Sequence, residues 1–197
     1  MYQPARDTEV DSLIAYVDQQ LAAIRAAVFG LTEQQARETP CRSTLSISGI
    51  IKHTAQGMRG AAANLRDGMK VGALTEHDFA RYLAGFALTD DETMADVLAE
   101  FDAARAELLG AMTASDSGAD DMAPPAPWQG IHEARPIHTR YYLLHQVEEM
   151  ARHAGHADII REQLDGESVP RLVMTLEGAA ANAFFQPYKP APGTIAG

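Results

Sequence analysis

The chain has 197 residues, a formal net charge of −11 and a single cysteine, Cys41. That length supports one substantial core. An acidic balance with no run of Lys or Arg argues against nucleic acid or anionic membrane as a partner, and a lone thiol excludes an intrachain disulfide. No apolar run is long enough to span a bilayer, and "MYQPARDTEVDS" lacks a signal-peptide core, so a cytoplasmic location is expected.

The first helix is expected from about Thr8 to Phe29. Val10, Leu13, Ile14, Val17, Leu21, Ile24 and Val28 recur at spacings of three and four, and Gly30 supplies a stop. Thr32 with Gln35 forms a capping-box pattern for a short turn of helix before Pro40. A second long helix starts near Ser46 or Ser48 and runs to about Met69, with Ile47, Ile50, Ile51, Met58, Ala61 and Leu65 on its apolar face. His53 lies on or beside that face. Residues 70–88 are mixed, with room for one short helix. Thr89 and Glu92 make another capping box, which predicts a third long helix reaching about Met112. "TASDSGADDMAPPAPWQG" reads as a long crossover. A fourth helix follows Pro136 and ends near Leu164, before "DG". Residues 167–197 read as an irregular tail, with a short strand at "RLVMTL". The expected class is all-α: a four-helix bundle over residues 1–166, with 167–197 packing on it or on a partner subunit.

The fourth helix holds an unusual set of groups in "LLHQVEEMARHAGHADIIRE". Residues four apart on a helix differ by roughly 40° in direction, so His145, Glu149 and His153 share one stripe and His156 falls within it. Two such donors can bind one ion if a third comes from another helix. His53 on the second helix is the obvious candidate. The same residues also suit an ordinary salt-bridged, solvated helix face, and spacing alone does not decide between the two.

The run "RYYLLHQVEEMARHAGHADIIRE" through "DG", with "LSISGIIKHTA" upstream, resembles the DinB-like (YfiT-like) metal-binding bundles. Within them it is most similar to the branch of mycothiol-dependent maleylpyruvate isomerase and the mycothiol S-transferases. The resemblance follows the helix order through nearly the whole chain. It implies a divalent metal held by His53, Glu149 and His153, Glu replacing the His found at that position in many members. Zinc is the first expectation, with nickel, iron or manganese also compatible. His145 is the competing ligand, one turn before Glu149. His156 either orients a ligand, touches substrate or simply packs against a neighbour. Arg152 and Arg161, with Asp158, read as an ion-pair network, with a substrate contact as the alternative for one Arg. Arg140 suits either a carboxylate clamp or a solvated helix start, and Tyr142 shares the His153 side of the helix. The resemblance also makes a homodimer one outcome.

An open position on such a cation lowers a thiol's pKa below its free value of roughly 8.5. Cys41 follows Pro40 in a connector with no His pattern around it, so the nucleophilic thiol is expected from a cosubstrate. The resemblance makes that mycothiol or a similar small thiol. The leading expectation is a metal-dependent thiol transferase or isomerase acting on a small electrophile, with no catalytic side chain beyond the ligands. Two His and one carboxylate also suit a non-haem iron oxidoreductase or, less well, a metal-dependent hydrolase. A non-catalytic metal- or small-molecule-binding stress protein is the remaining alternative. Trp128 reads as a plug pinning the crossover or a cap on a cleft mouth, and His77, His132 and His138 as solvated.

Overall fold

The computed structural model describes residues 3–68, 76–126 and 130–197; Trp128 and the side chain of His77 lie outside them. Seven helices and one two-stranded ribbon occupy the described residues. Helix α1 (Glu9–Ala26) starts where the Thr8 hydroxyl accepts the Asp11 amide at 3.2 Å, and its Val17, Leu21 and Ile24 are buried. Helix α2 (Glu33–Arg37) carries the full capping box: Thr32 Oγ1 accepts the Gln35 amide, and the Thr32 amide donates to Gln35 Oε1 at 2.9 Å. Helix α3 (Ile47–Asp67) is capped by Ser46, whose hydroxyl accepts the Gly49 amide at 3.1 Å. Helix α4 (Glu76–Ala84) is the short helix of the mixed segment.

Helix α5 (Met94–Ala114) begins four residues later than the capping box at Thr89 predicts. Half of that box forms, the Thr89 amide donating to Glu92 Oε2 at 2.7 Å. The carbonyls of Leu88, Thr89 and Glu92, however, accept from the Arg37 guanidinium, and Glu92 also takes Lys52 Nζ at 2.7 Å. With these carbonyls turned towards α2, the segment stays a turn, the Glu92 amide reaching back only as far as the Thr89 carbonyl at 3.4 Å. Thr93 then caps α5, accepting the Asp96 amide at 3.2 Å, while Glu33 from α2 accepts the Met94 amide.

The crossover is not merely a loop. Strand β1 (Asp120–Ala123) pairs antiparallel with β2 (Arg135–His138), Asp120 opposite His138 and Ala123 opposite Arg135. The ribbon leads straight into helix α6 (Thr139–Asp165), whose first amides donate to the carbonyls of Ala119 and Ser117 at 3.0 and 2.9 Å. Gly166, in the left-handed region at φ 76°, ends α6.

A second correction concerns the tail. The expected strand at "RLVMTL" is part of helix α7 (Val169–Leu176). Val169, Leu172 and Val173 are its buried residues, at i, i+3 and i+4, and Pro170 sits in its first turn, where a missing N–H costs nothing.

The long helices pack α3 on α5, α5 on α1, α1 on α6 and α6 on α3, so each has two long neighbours. Leu21, Ile24, Ile50, Ile51, Phe101 and Leu108 between them are fully buried, each contributing about 1.5–3 kcal/mol of transfer free energy. Helix α7 covers part of α1 and α6. The chain end returns to the start of α2, the Gly30 amide donating to Ile195 O and the Ile195 amide to Leu31 O.

Arg161 of α6 is fully buried yet fully bonded. Its guanidinium forks onto Asp165 at 2.9 and 2.8 Å, donates to the carbonyls of Ala27 and Phe29 at 2.8 and 2.7 Å, and lies over the Tyr188 ring.

Candidate functional site

A cleft of about 820 Å³ opens between α3 and α6 under the end of α4. His53 on α3 and Glu149 and His153 on α6 all line it. The periodicity of each helix explains the meeting. His53 follows Ile50 by one turn on the α6-facing side of α3, and Glu149 and His153 straddle the buried Met150 on the α3-facing side of α6.

The His53 and His153 rings stand 5.1 Å apart, centroid to centroid, at 71°. His153 Nε2 is 3.8 Å from one Glu149 oxygen, and His145 Nε2 is 3.8 Å from the other. Those separations are too long for hydrogen bonds. As the side chains stand, no group of three or more His, Cys, Asp or Glu among the described residues is arranged to hold a metal ion. The donor chemistry itself fits one. Burial, then the neighbouring His153, lowers the His53 pKa to about 4. Burial likewise lowers that of His153, against the opposing pull of Glu149. Both imidazoles are therefore neutral at pH 7, the form that ligates, and the half-exposed Glu149 carboxylate shares their cleft.

Other expected residues are placed as follows. Tyr142 is buried in the cleft wall, its hydroxyl accepting from Asn64 Nδ2 at 3.2 Å, and burial pushes its pKa up. His145 stands at the cleft rim. His156 is exposed, its ring 6.4 Å from that of His153. Arg152 is exposed and paired with Glu148 at 2.8 Å, and Arg140 with Glu9 at 3.0 Å; neither lines the cleft. Asp158 faces a separate shallow groove against α7, with Oδ1 buried and unpartnered, and burial pushes its pKa up.

Sequence reasoning missed an aromatic wall. Phe86 stacks on His53 at 3.9 Å and 18°, and Tyr82 meets the same ring edge-on at 5.2 Å. Gly49 makes this possible: a Cβ there would run into the Phe86 carbonyl, so only glycine lets the connector after α4 lie against α3 one turn before His53. The available signals were a glycine inside an otherwise apolar helix start and aromatics at 79, 82 and 86 with helical spacing.

A search among curated proteins finds no match to this chain. The sequence profile of the family described as mycothiol-S-transferase matches residues 12–166. That span runs from within α1 to the Gly166 stop of α6 and takes in both helices that line the cleft. The chain belongs to the mycothiol-S-transferase family.

Proposed function

We propose that the protein transfers a low-molecular-weight thiol, mycothiol, to a small electrophile in the cleft between α3 and α6, with His53, Glu149 and His153 holding a divalent cation, zinc before nickel, iron or manganese. One observation carries the reading. Two imidazoles from different helices, both kept neutral by burial, face each other at 5.1 Å with a carboxylate one turn away. The bound cation would supply a lowered thiol pKa, so that thiolate is populated at neutral pH. The chain's residues do the rest. Phe86 holds the His53 ring in place, Met150 and the buried Tyr142 keep water from the inner wall, and the thiol proton is released to solvent. Sulfur forms the new bond to carbon, and the leaving group departs with its bonding pair.

On this reading the four long helices form a bundle over residues 1–166, supported by their ring of pairwise packing, and residues 167–197 lie upon it through α7 and Ile195. No helix among the described residues is long and apolar enough to cross a membrane; the cytoplasm, with its reduced thiol pool, suits the proposed chemistry.

The 3.8 Å spacings favour one second reading, in which Glu149 between His145 and His153 takes the thiol proton without any cation. Metal analysis and a conjugation assay with mycothiol and monochlorobimane separate the two. The expected result is one metal per chain, with His53→Ala and His153→Ala losing the metal and conjugate formation falling on the order of 100-fold. Active protein that stays metal-free supports the second reading. A wild-type rate no higher than the thiol-only background ends both.

A further inference from the structure

The cleft has two unlike walls. Along α3 and α6 it presents Gln56, Arg59, His145 and Gln146, with the phenol of Tyr142. Beside them, α4 and its C-terminal turn set three aromatic rings in file from His53 outward, and Tyr82 is the one of the three that lines the cleft. Phe86 stacks on the imidazole, Tyr82 meets Phe86 edge-on at 5.3 Å and 78°, and Phe79 lies nearly parallel to Tyr82 at 6.4 Å and 18°. The inner end of this file touches the proposed metal ligands. Its outer end is bare, with Tyr82 52 % and Phe79 62 % exposed. Exposed aromatic rings continuous with a half-buried stack, beside an open cleft, mark a surface that something flat and apolar covers.

We infer that this file is the electrophile subsite and that the substrates are planar aromatic or conjugated electrophiles, an assignment that rests on the thiol-transfer reading. A flat ring laid on Tyr82 and Phe79 projects its reacting carbon towards the His53 end. The hydroxyl- and amide-rich body of the thiol is left to the polar wall, where Gln56 and His145 face the cleft while Glu100 and Glu107 hold the Arg59 guanidinium. The chemistry balances without an oxidant. The sulfur lone pair forms the C–S bond, and either a halide leaves with its electrons or a conjugated π pair shifts outward and takes up the proton the thiol gave away. Selection is by shape, because a ring gains stacking on both neighbours whereas a short aliphatic electrophile gains neither.

The test compares 1-chloro-2,4-dinitrobenzene, which is planar, with iodoacetamide, which is not, in wild type, Tyr82→Ala and Tyr82→Phe. The planar-to-aliphatic ratio of kcat/KM should fall about 10-fold in Tyr82→Ala, mostly through KM for the planar substrate, a size typical of one lost ring contact. Tyr82→Phe should keep the ratio within about 2-fold, since the ring and not the hydroxyl is used. An unchanged ratio in Tyr82→Ala overturns the assignment. Binding of 1,3-dinitrobenzene, which has no leaving group, provides a readout independent of turnover, followed by NMR line shifts. If it binds wild type and weakens in Tyr82→Ala while no electrophile is turned over, the subsite stands and the transfer reading fails. If conjugates form but binding ignores Tyr82, transfer stands and the subsite fails.

Discussion

His53 is neutral because of where it sits, and that has a price in acid. Its pKa is lowered to about 4 by burial and by His153, whereas in the unfolded chain an imidazole titrates at about 6.5. Between those two values the unfolded chain takes up a proton that the folded chain refuses, so stability is lost as pH falls through that window. His153 shifts in the same direction. In chelator-treated protein the thermal midpoint should therefore drop from pH 7 to pH 4.5. His53→Phe, whose ring can lie between Phe86 and Tyr82, should flatten part of that slope. Calorimetry across the pH series checks it, and equal slopes in the two proteins would contradict the assignment. Asp158 has the opposite sense: burial raises its pKa, so its ionisation weighs against the fold at neutral pH.

At the scale of elements, the site depends on a close approach that one residue permits. Gly49→Ala should push the Phe86 carbonyl away from α3, loosening the stack on His53. Conjugation should fall by about 10-fold or more, as expected when a supporting contact is lost, while the circular dichroism of the other helices is retained; an unchanged rate would mean that Phe86 does not support His53. Gly49 also shows what a sequence conceals. The long helices α1, α3 and α6 were legible from periodicity and caps, because their burial is one-sided and their ends carry Thr8, Ser46 and Gly166. The start of α5 was not, since tertiary acceptors for Arg37 and Lys52 competed with the ladder at Thr89. Helix α7 was mistaken for a strand because its apolar Leu172, Val173 and Met174 stand side by side in a short segment and hide its period, and the ribbon β1–β2 was missed because its strands are four residues each and scarcely apolar. Within the site, the candidate ligands could be named from the resemblance, but the aromatic wall could not. Which way α4 turns its rings depends on how a connector packs, and no local pattern records that.

For the molecule as a whole, a buried arginine fastens the end of α6 away from the cleft. Arg161 joins α6 to the carbonyls closing α1, to Asp165 and to the Tyr188 ring of the returning chain end. Removing its guanidinium leaves two buried carbonyls without donors. Arg161→Met should cost about 3 kcal/mol, lowering the midpoint by about 2–4 °C for each of them. Arg161→Lys should recover little, because an ammonium lacks the fork that reaches carboxylate and carbonyls together; full recovery in thermal melts would contradict this. His153 and Arg161 are eight residues apart on one rod, about 12 Å by helical rise. That separation divides the labour of α6. Substitutions at the cleft end of α6 should therefore leave the knot around Arg161 in place, and loss of that knot should reach the cleft only through the helix that carries both.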